Sequence, residues 1–377
     1  MFVNIPENIR NKRVLVRVDF NEPLLKGKIV DSFRIRRTVP TIRKLAKRVA
    51  KIVLISHIED PVNKKQLSFK KICPEIARLL GLKVLFTERL PTAADRIFKE
   101  SRVILLENIR FQKGETENDA SFARSLASIG DIYINEAFSV SHRRHASIVG
   151  IPRYLPSFAG QLFREEVRAL SEALRPQHPF LLIIGGAKFE TKFALMKSFI
   201  GRADAIFVGG ALANTFLKAH GMEIGRSFYE PSAIPGIKKE FLLSKKVFFP
   251  LDARIGKNKT RDIYSIRKGD MIYDIGPETV LGLRDLSRIT KLIVWNGPLG
   301  YIEKGYITAT VDLLRHFSRL KIKVILGGGD TLSVLDKLRL YNKFYHVSTG
   351  GGAMLDFLAD GSLPGIDAIL NAQAKMK

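Results

Sequence analysis

The sequence predicts an α/β protein of two domains, each built on a parallel sheet sandwiched by helices. Length is the first ground: 377 residues, at about 150 per domain, fit two domains of ordinary size better than one core. The second is the recurrence of short apolar, β-branched runs separated by helical or polar stretches. The third is that these runs are apolar throughout. A strand with one wet face alternates, so unbroken runs imply burial on both faces and therefore parallel sheets.

Taken in order, the runs of the first half are Val14 to Phe20, Ile52 to Ile55, Val84 to Phe86, Val103 to Leu106 and Ile132 to Ile134. Those of the second half are Phe180 to Ile184, Ala205 to Val208, Val247 to Phe249, Met271 to Ile275, Leu292 to Trp295, Val324 to Leu326 and Phe344 to Val347. No strand signal falls between Ile134 and Phe180. There, Leu162, Phe163, Val167, Leu170 and Leu174 have helical spacing and predict an interdomain helix over 161–174, ended by Arg175-Pro176.

A hydrophobic share of 46% with 26% charged residues excludes global disorder, and no apolar run approaches the eighteen or so residues of a bilayer helix. The N-terminal residues lack a secretory core, so a cytoplasmic address is expected. Cys73 is the single cysteine, which excludes internal disulfides and thiolate clusters. The surplus of 62 Lys+Arg over 37 Asp+Glu, +25 in all, favours anionic partners without choosing among metabolites, nucleic acid and lipid. Eight of those cations and no acid lie between Arg34 and Lys51. Ile42, Leu45, Ala46 and Val49 share one helical face there. The basic side is read as a solvated face rather than a polyanion site.

Glycine clusters follow strand runs at 185–186, 209–210, 327–329 and 350–352. Such turns bring free N–H groups close to phosphate, and ligands of open parallel sheets bind at carboxyl strand ends. Neither G-x-G-x-x-G nor G-x-x-x-x-G-K-[ST] occurs. In the first half Arg17, Asp19, Arg34, His57, Arg110 and Arg143 lie near strand ends, and gathered guanidinium groups suit an anionic substrate. His142 and His145 have no carboxylate or thiolate spaced to complete a metal site, and no G-x-S-x-G marks a hydrolase.

These segments resemble phosphoglycerate kinases along nearly the whole chain. The similarity is carried by RVLVRVDFNEP at 13–23, LLENIRFQKGE at 105–115, INEAFSVSHRRHASIVGIPRYLPSFAG at 134–160, IIGGAKFETK at 183–192, VGGALANTFLKAHG at 208–221, VWNGPLGYIE at 294–303, LGGGDTLSVLDKL at 326–338 and HVSTGGGAMLDFL at 346–358. The resemblance implies a cytosolic, monomeric, hinge-bending kinase of two Rossmann-like three-layer domains. It moves a phosphoryl group between 1,3-bisphosphoglycerate and ADP, with no membrane or specific nucleic-acid partner.

The implied layout is a 3-phosphoglycerate-binding domain over 1–155, a hinge helix over 156–174, a nucleotide-binding domain over 175–355, and a tail over 356–377 packing back on the first domain. Asp19, Asn21, Arg34, His57, Arg110 and Arg143 would face 3-phosphoglycerate. Lys188, Lys192, Gly209, Asn296, Pro298, Glu303, Gly329, Asp330, Thr331, Gly350 and Gly352 would hold ATP or ADP, with Asp330 on the accompanying Mg2+. Arg34, Lys188, Gly328 and Gly351 would serve the transfer itself.

Departures from the family pattern concentrate at 56–61. Where SHLGRP is expected the chain reads Ser56-His57-Ile58-Glu59-Asp60-Pro61, so Asp60 replaces an arginine and Glu59 stands beside it. Glu136 replaces Asp, Ser139-Val140 replace Gly-Thr, and Ala211 replaces a glycine. Two rival readings follow: a kinase fold with impaired triose binding, and a polyanion-binding protein that uses the basic segment.

Overall fold

The computed structural model describes residues 2–48, 51–60, 65–91 and 96–376. The chain divides into two units, one made of Met1–Val167 with Ser362–Lys377 and the other of Arg168–Gly361.

In the first unit the strands are β1 (Arg13–Arg17), the hairpin β2 (Leu24–Leu25) and β3 (Lys28–Ile29), β4 (Lys51–Ile55), β5 (Val84–Thr87), β6 (Val103–Leu106), β7 (Ile132–Asn135) and β8 (Ser157–Ala159). Six of them form a parallel sheet in the order β5-β6-β4-β1-β7-β8. Successive residues of one strand enter opposite cores. Val14, Val16, Ile52 and Leu54 pack with Ile35, Ile42 and Ile76 from helices Phe33–Arg48 and Cys73–Leu80. Leu15, Val53, Ile55 and Ile104 pack with Leu126 and Ala127 from the helix Ala120–Ser128. Both faces are dry, which is why these strands read as unbroken apolar runs.

The second unit contains β9 (Phe180–Ile184), β10 (Ala205–Val208), β11 (Val247–Phe248), β12 (Asp252–Gly256), β13 (Lys259–Asp262), β14 (Asp274–Ile275), β15 (Leu292–Asn296), β16 (Lys323–Gly327) and β17 (His346–Val347). Its parallel sheet has the order β11-β10-β9-β15-β16-β17, the doubly wound arrangement in which strand order reverses between β9 and β15. A crevice at the carboxyl ends of those two strands is where such sheets bind ligands.

Four local expectations are corrected. The stretch between Ile134 and Phe180 does hold a strand, β8, whose three residues Ser-Phe-Ala are too short to stand out as an apolar run. The run Met271 to Ile275 yields only β14, and it pairs antiparallel with β12 in a side sheet ordered β13-β12-β14. The strand begun at Val14 ends at Arg17 rather than Phe20, although the Val18 N–H still donates to the Ile55 carbonyl at 3.0 Å. The basic helix ends at Arg48, and Lys51 opens β4 with its Nζ 5.0 Å from the Phe98 ring centre. Within that helix Ile42 and Leu45 are buried while Arg43, Lys44, Lys47 and Arg48 face solvent; Val49 lies outside the described residues.

A helix spans Gln161–Leu174, and the two units divide within it, between Val167 and Arg168. Its start is fixed by Glu136, whose Oε1 accepts the Leu162 N–H at 3.1 Å and the Thr41 hydroxyl proton. Burial pushes the Glu136 carboxyl up to about 8.

Candidate active site

In the first unit the ends of β1, β4, β6 and β7 carry polar side chains bound to one another. Asp19, just past β1, is the hub: its Oδ2 lies 3.6 Å from Arg34 Nε and accepts from the Ser139 hydroxyl, while its Oδ1 accepts the Asn21 N–H at 3.0 Å. Burial by itself would raise the Asp19 carboxyl. The Arg34 charge and the Ser139 hydrogen bond outweigh it and bring the group down to about 2. His57, at the end of β4, is fully buried and held down to about 3, first by desolvation and then by the charges of Arg17, Arg143 and Arg34. It is neutral at neutral pH, so its 4.0 Å approach to Asp19 Oδ1 is not an ion pair.

Beneath this layer the buried Arg17 guanidinium donates to Ser147 Oγ at 2.8 Å and sits 3.4 Å from His57 Nδ1. Arg110, after β6, puts Nη1 2.7 Å from Glu59 Oε2, and its Nε and Nη2 are buried with no hydrogen-bond partner among the described residues. The cluster is therefore a set of arginines whose charges are only partly compensated, and it suits a small anion.

In the second unit a cavity of about 440 Å3 opens beside the carboxyl ends of β9, β10 and β15. Gly186, Gly210, Pro298, Glu303 and Asp330 line it together with the apolar walls Leu217, Phe228, Met271 and Leu299. The size and the mixture of apolar walls with a few polar groups fit a nucleotide. Backbones approach closely beside it. A Cβ on Gly185 would lie 2.1 Å from the Pro298 carbonyl oxygen, and Gly328, at φ +90°, would carry one 2.9 Å from the Gly297 nitrogen. Only glycine tolerates both the contact and the left-handed backbone at Gly328. Helix Gly329–Leu338 starts there, with Asp330 in its first turn and Thr331 buried, its Oγ1 without a partner among the described residues.

Lys192, in the helix Glu190–Phe199, is buried and donates through Nζ to the Gly185 carbonyl. Desolvation holds its ammonium down to about 8; the Asp330 carboxylate opposes that shift and Lys188 adds to it. Burial and the neighbouring Glu303 push Asp330 up, against Lys192 and Lys188. Lys188, Lys192, Glu303 and Asp330 thus form one electrostatic group.

Of the residues expected at the nucleotide, Pro298, Glu303 and Asp330 line the cavity; Lys188, Gly209, Gly329 and Thr331 are next to lining residues in sequence, Asn296 and Gly328 are two positions away, and Lys192 is coupled to Asp330 by charge. Gly350, Gly351 and Gly352 follow the edge strand β17 at the start of helix Gly351–Asp360 and are not part of the cavity wall. Sequence reasoning missed Ser139, Glu59 as a partner of Arg110, and the walls Phe228, Tyr273 and Tyr301. A serine where the family pattern has glycine was the available signal for the first. The scattered wall residues carried none.

The site elements define a class: a two-domain α/β phosphotransferase with an arginine-rich cluster in one unit and a glycine-lined cavity of a size to fit a nucleotide in the other. The comparisons make it specific. A family model described as phosphoglycerate kinase matches residues 5–361. Similar chains include the phosphoglycerate kinase of Leptospira biflexa serovar Patoc, 37% identical over 388 residues covering 98% of both chains. That of Coprothermobacter proteolyticus is 39% identical over 378 residues, covering 95% of this chain and 96% of its own. Among solved structures, the phosphoglycerate kinase of Coxiella burnetii superposes with a TM-score of 0.83 at 34% identity, covering 97% of both chains. The enzyme of Pyrococcus horikoshii OT3 gives 0.84 at 29% identity over 98% of both. The chain belongs to the phosphoglycerate kinase family.

Proposed function

We propose that this chain catalyses reversible phosphoryl transfer between 1,3-bisphosphoglycerate and ADP, with the triose acid held by the first unit and the nucleotide by the second. The observation that carries the assignment of halves is the contrast between the Asp19-Arg34-Arg110 cluster and the glycine-lined cavity. In the direction of ATP formation the bond from phosphorus to the acyl oxygen breaks, a bond to a β-phosphate oxygen of ADP forms, and the carboxylate leaves. Donor and acceptor are already activated, so positioning and charge neutralisation suffice.

Arg34 and Lys188 supply charge to the oxygens of the moving group. The N–H groups at Gly328–Gly329 and Gly350–Gly352 add fixed dipoles at two helix starts. Asn21, His57 and Arg143 complete the triose side; Lys192, Gly209, Asn296, Pro298, Glu303 and Thr331 complete the nucleotide side. Asp330 fits Mg2+, being a hard oxygen donor on the cavity wall. No cluster of three metal-ligating side chains exists among the described residues, so phosphates and water would complete the shell. The ion, when bound with nucleotide, supplies charge neutralisation at the phosphates.

Hinge bending through 156–174 would exclude water from the acyl phosphate. The reading takes the enzyme as a cytoplasmic monomer without a specific nucleic-acid partner; no described helix is long and apolar enough to cross a membrane. A coupled assay for ATP- and 3-phosphoglycerate-dependent formation of bisphosphoglycerate tests it. Activity with that substrate pair is expected, and its absence in folded, Mg2+-supplied protein would refute the reading.

A further inference from the structure

Glu59 brings a negative charge to a cluster that reads as an anion receptor, and on charge alone it is a defect. Its surroundings describe a built contact. The Glu59 N–H donates to Asn21 Oδ1 at 3.0 Å, which ties it to the Asp19 loop. Asn108, fully buried, fixes both partners on one frame: Nδ2 donates to the Ile58 carbonyl at 2.6 Å and the Leu67 carbonyl at 2.7 Å, while Oδ1 accepts the Arg110 N–H at 3.1 Å. Gln66 Nε2 donates to the same Glu59 Oε2 that receives Arg110 Nη1. The side chains of Arg110 and Glu59 are only 10% and 18% exposed.

The choice of nitrogen matters. A guanidinium grips a carboxylate or phosphate bidentately along an edge. Glu59 occupies Nη1 alone. The edge formed by Nε and Nη2 stays buried and without a partner among the described residues, and leaving two such donors unsatisfied is unfavourable unless a ligand takes them.

We propose that Glu59 is a positioning residue of this chain: it pins Arg110 through Nη1 so that the Nε/Nη2 edge receives one anionic end of the triose acid. The inference rests on the assignment of Arg110 to 3-phosphoglycerate. It reverses the expectation that Glu59 merely weakens substrate binding through its charge.

Steady-state kinetics on the full-length enzyme separate the two. Arg110→Ala tests the underlying assignment; a KM for 3-phosphoglycerate that does not move refutes that assignment, and the inference with it. Given a rise there, Glu59→Ala is expected to raise the same KM about tenfold, within the range for a hydrogen bond to a charged group, with KM for ATP unchanged. Glu59→Gln keeps an acceptor for Nη1 and should recover most of that loss. In the Arg110→Ala background, Glu59→Ala should have no further effect. A fall in the triose KM in both Glu59 variants would show that its charge, not its grip, dominates and would overturn the proposal. Equal rises in both KM values, or no recovery with glutamine in variants with wild-type melting temperature, would also overturn it.

Discussion

Strand ends in the first unit carry long charged side chains that hold one another: Asp19 with Arg34, Glu59 with Arg110, Arg17 against His57. Strand ends in the second carry glycines, and what approaches the cavity there is backbone, with Lys192 tied to a carbonyl rather than to a carboxylate. On the proposed assignment of halves, a small triose anion would offer little apolar surface, so its receptor would be made of guanidinium forks, whose burial demands counter-charges. A nucleotide brings a base and a ribose as well as phosphates, so on the same assignment its receptor would combine apolar walls with close N–H donors. The same kind of sheet thus supports two different solutions.

The sharpest break in this comparison is expected from Arg34→Ala and Lys188→Ala, one cation from each unit. Each should lower kcat by about 100- to 1,000-fold at saturating substrates, the scale for loss of one group aimed at transition-state charge, while affecting KM for ATP far less. Near wild-type turnover in either would remove that residue from the transfer step.

Next in size is Gly185→Ala, whose methyl would lie 2.1 Å from the Pro298 carbonyl oxygen. It should destabilise the second unit by roughly 1–3 kcal/mol and weaken nucleotide binding, leaving 3-phosphoglycerate binding in place. Calorimetric titration with each ligand checks both halves of that statement.

Acid should separate the units. His57 and His145, held down by burial to about 3 and about 4, stabilise the first unit above their ordinary 6.5 and lose that contribution as pH falls through the folded values. Asp19, at about 2, loses its contribution between 3.8 and 2. Glu22 and Glu136, pushed up to about 8 by burial, act oppositely, but their gain is complete below 4.5. In the second unit Asp274, raised by burial to about 7, has finished gaining by 3.8, and Lys192, at about 8, no longer changes. Between pH 4.5 and 3 the larger loss falls on the first unit; the second loses less, through the smaller downward shifts of Glu172, Asp204, His220 and His316. Far-ultraviolet circular dichroism should therefore change at higher pH than the emission of Trp295, which is buried in the second unit. Coincident transitions would sink this.

Asp60→Arg is a smaller intervention on the triose side. A unit charge at ~4 Å is worth about 1 kcal/mol in water and about 4 at an effective dielectric of 20, so KM for 3-phosphoglycerate should fall several-fold or more while that for ATP stays put. If both stay put, the loop is either turned away from the substrate or already compensated by neighbouring arginines, and position 60 drops out of the substrate site. The smallest signal is optical: Trp295 Nε1 donates to the Gly297 carbonyl at 2.8 Å, next to the cavity residue Pro298, and Mg-ADP should perturb its fluorescence. Calorimetric binding with no optical change would place the nucleotide elsewhere.

How legible all this was in the sequence follows from range. Strands such as Val103–Leu106 and Leu292–Asn296 announce themselves because both faces are dry. The strand Ser157–Ala159 does not, because three residues at a sheet edge leave no pattern. The side sheet around Asp252–Gly256 was missed because its strand Lys259–Asp262, Lys-Thr-Arg-Asp, is polar and largely exposed. At the site, glycine turns and strand-end arginines were visible since each is marked by its own neighbours. The Glu59–Arg110 contact joins residues 51 positions apart, and no local signal encodes it.

The chain passes from the first unit into the second at Val167 and returns at Ser362, and the returning helix Pro364–Ala374 is stitched to residues made much earlier. Gly365 N–H donates to the Ser141 carbonyl at 2.8 Å, Gln373 donates to the Ser157 carbonyl at 3.1 Å, and Gln373 accepts the Val3 N–H at 2.9 Å. On the ribosome, where synthesis runs from the N-terminus and domains fold as units, every residue of the second unit therefore emerges before the first unit has its closing helix. The half of the enzyme that begins first is completed last, and until then the carbonyls of Ser141 and Ser157 wait for donors that have not yet been translated.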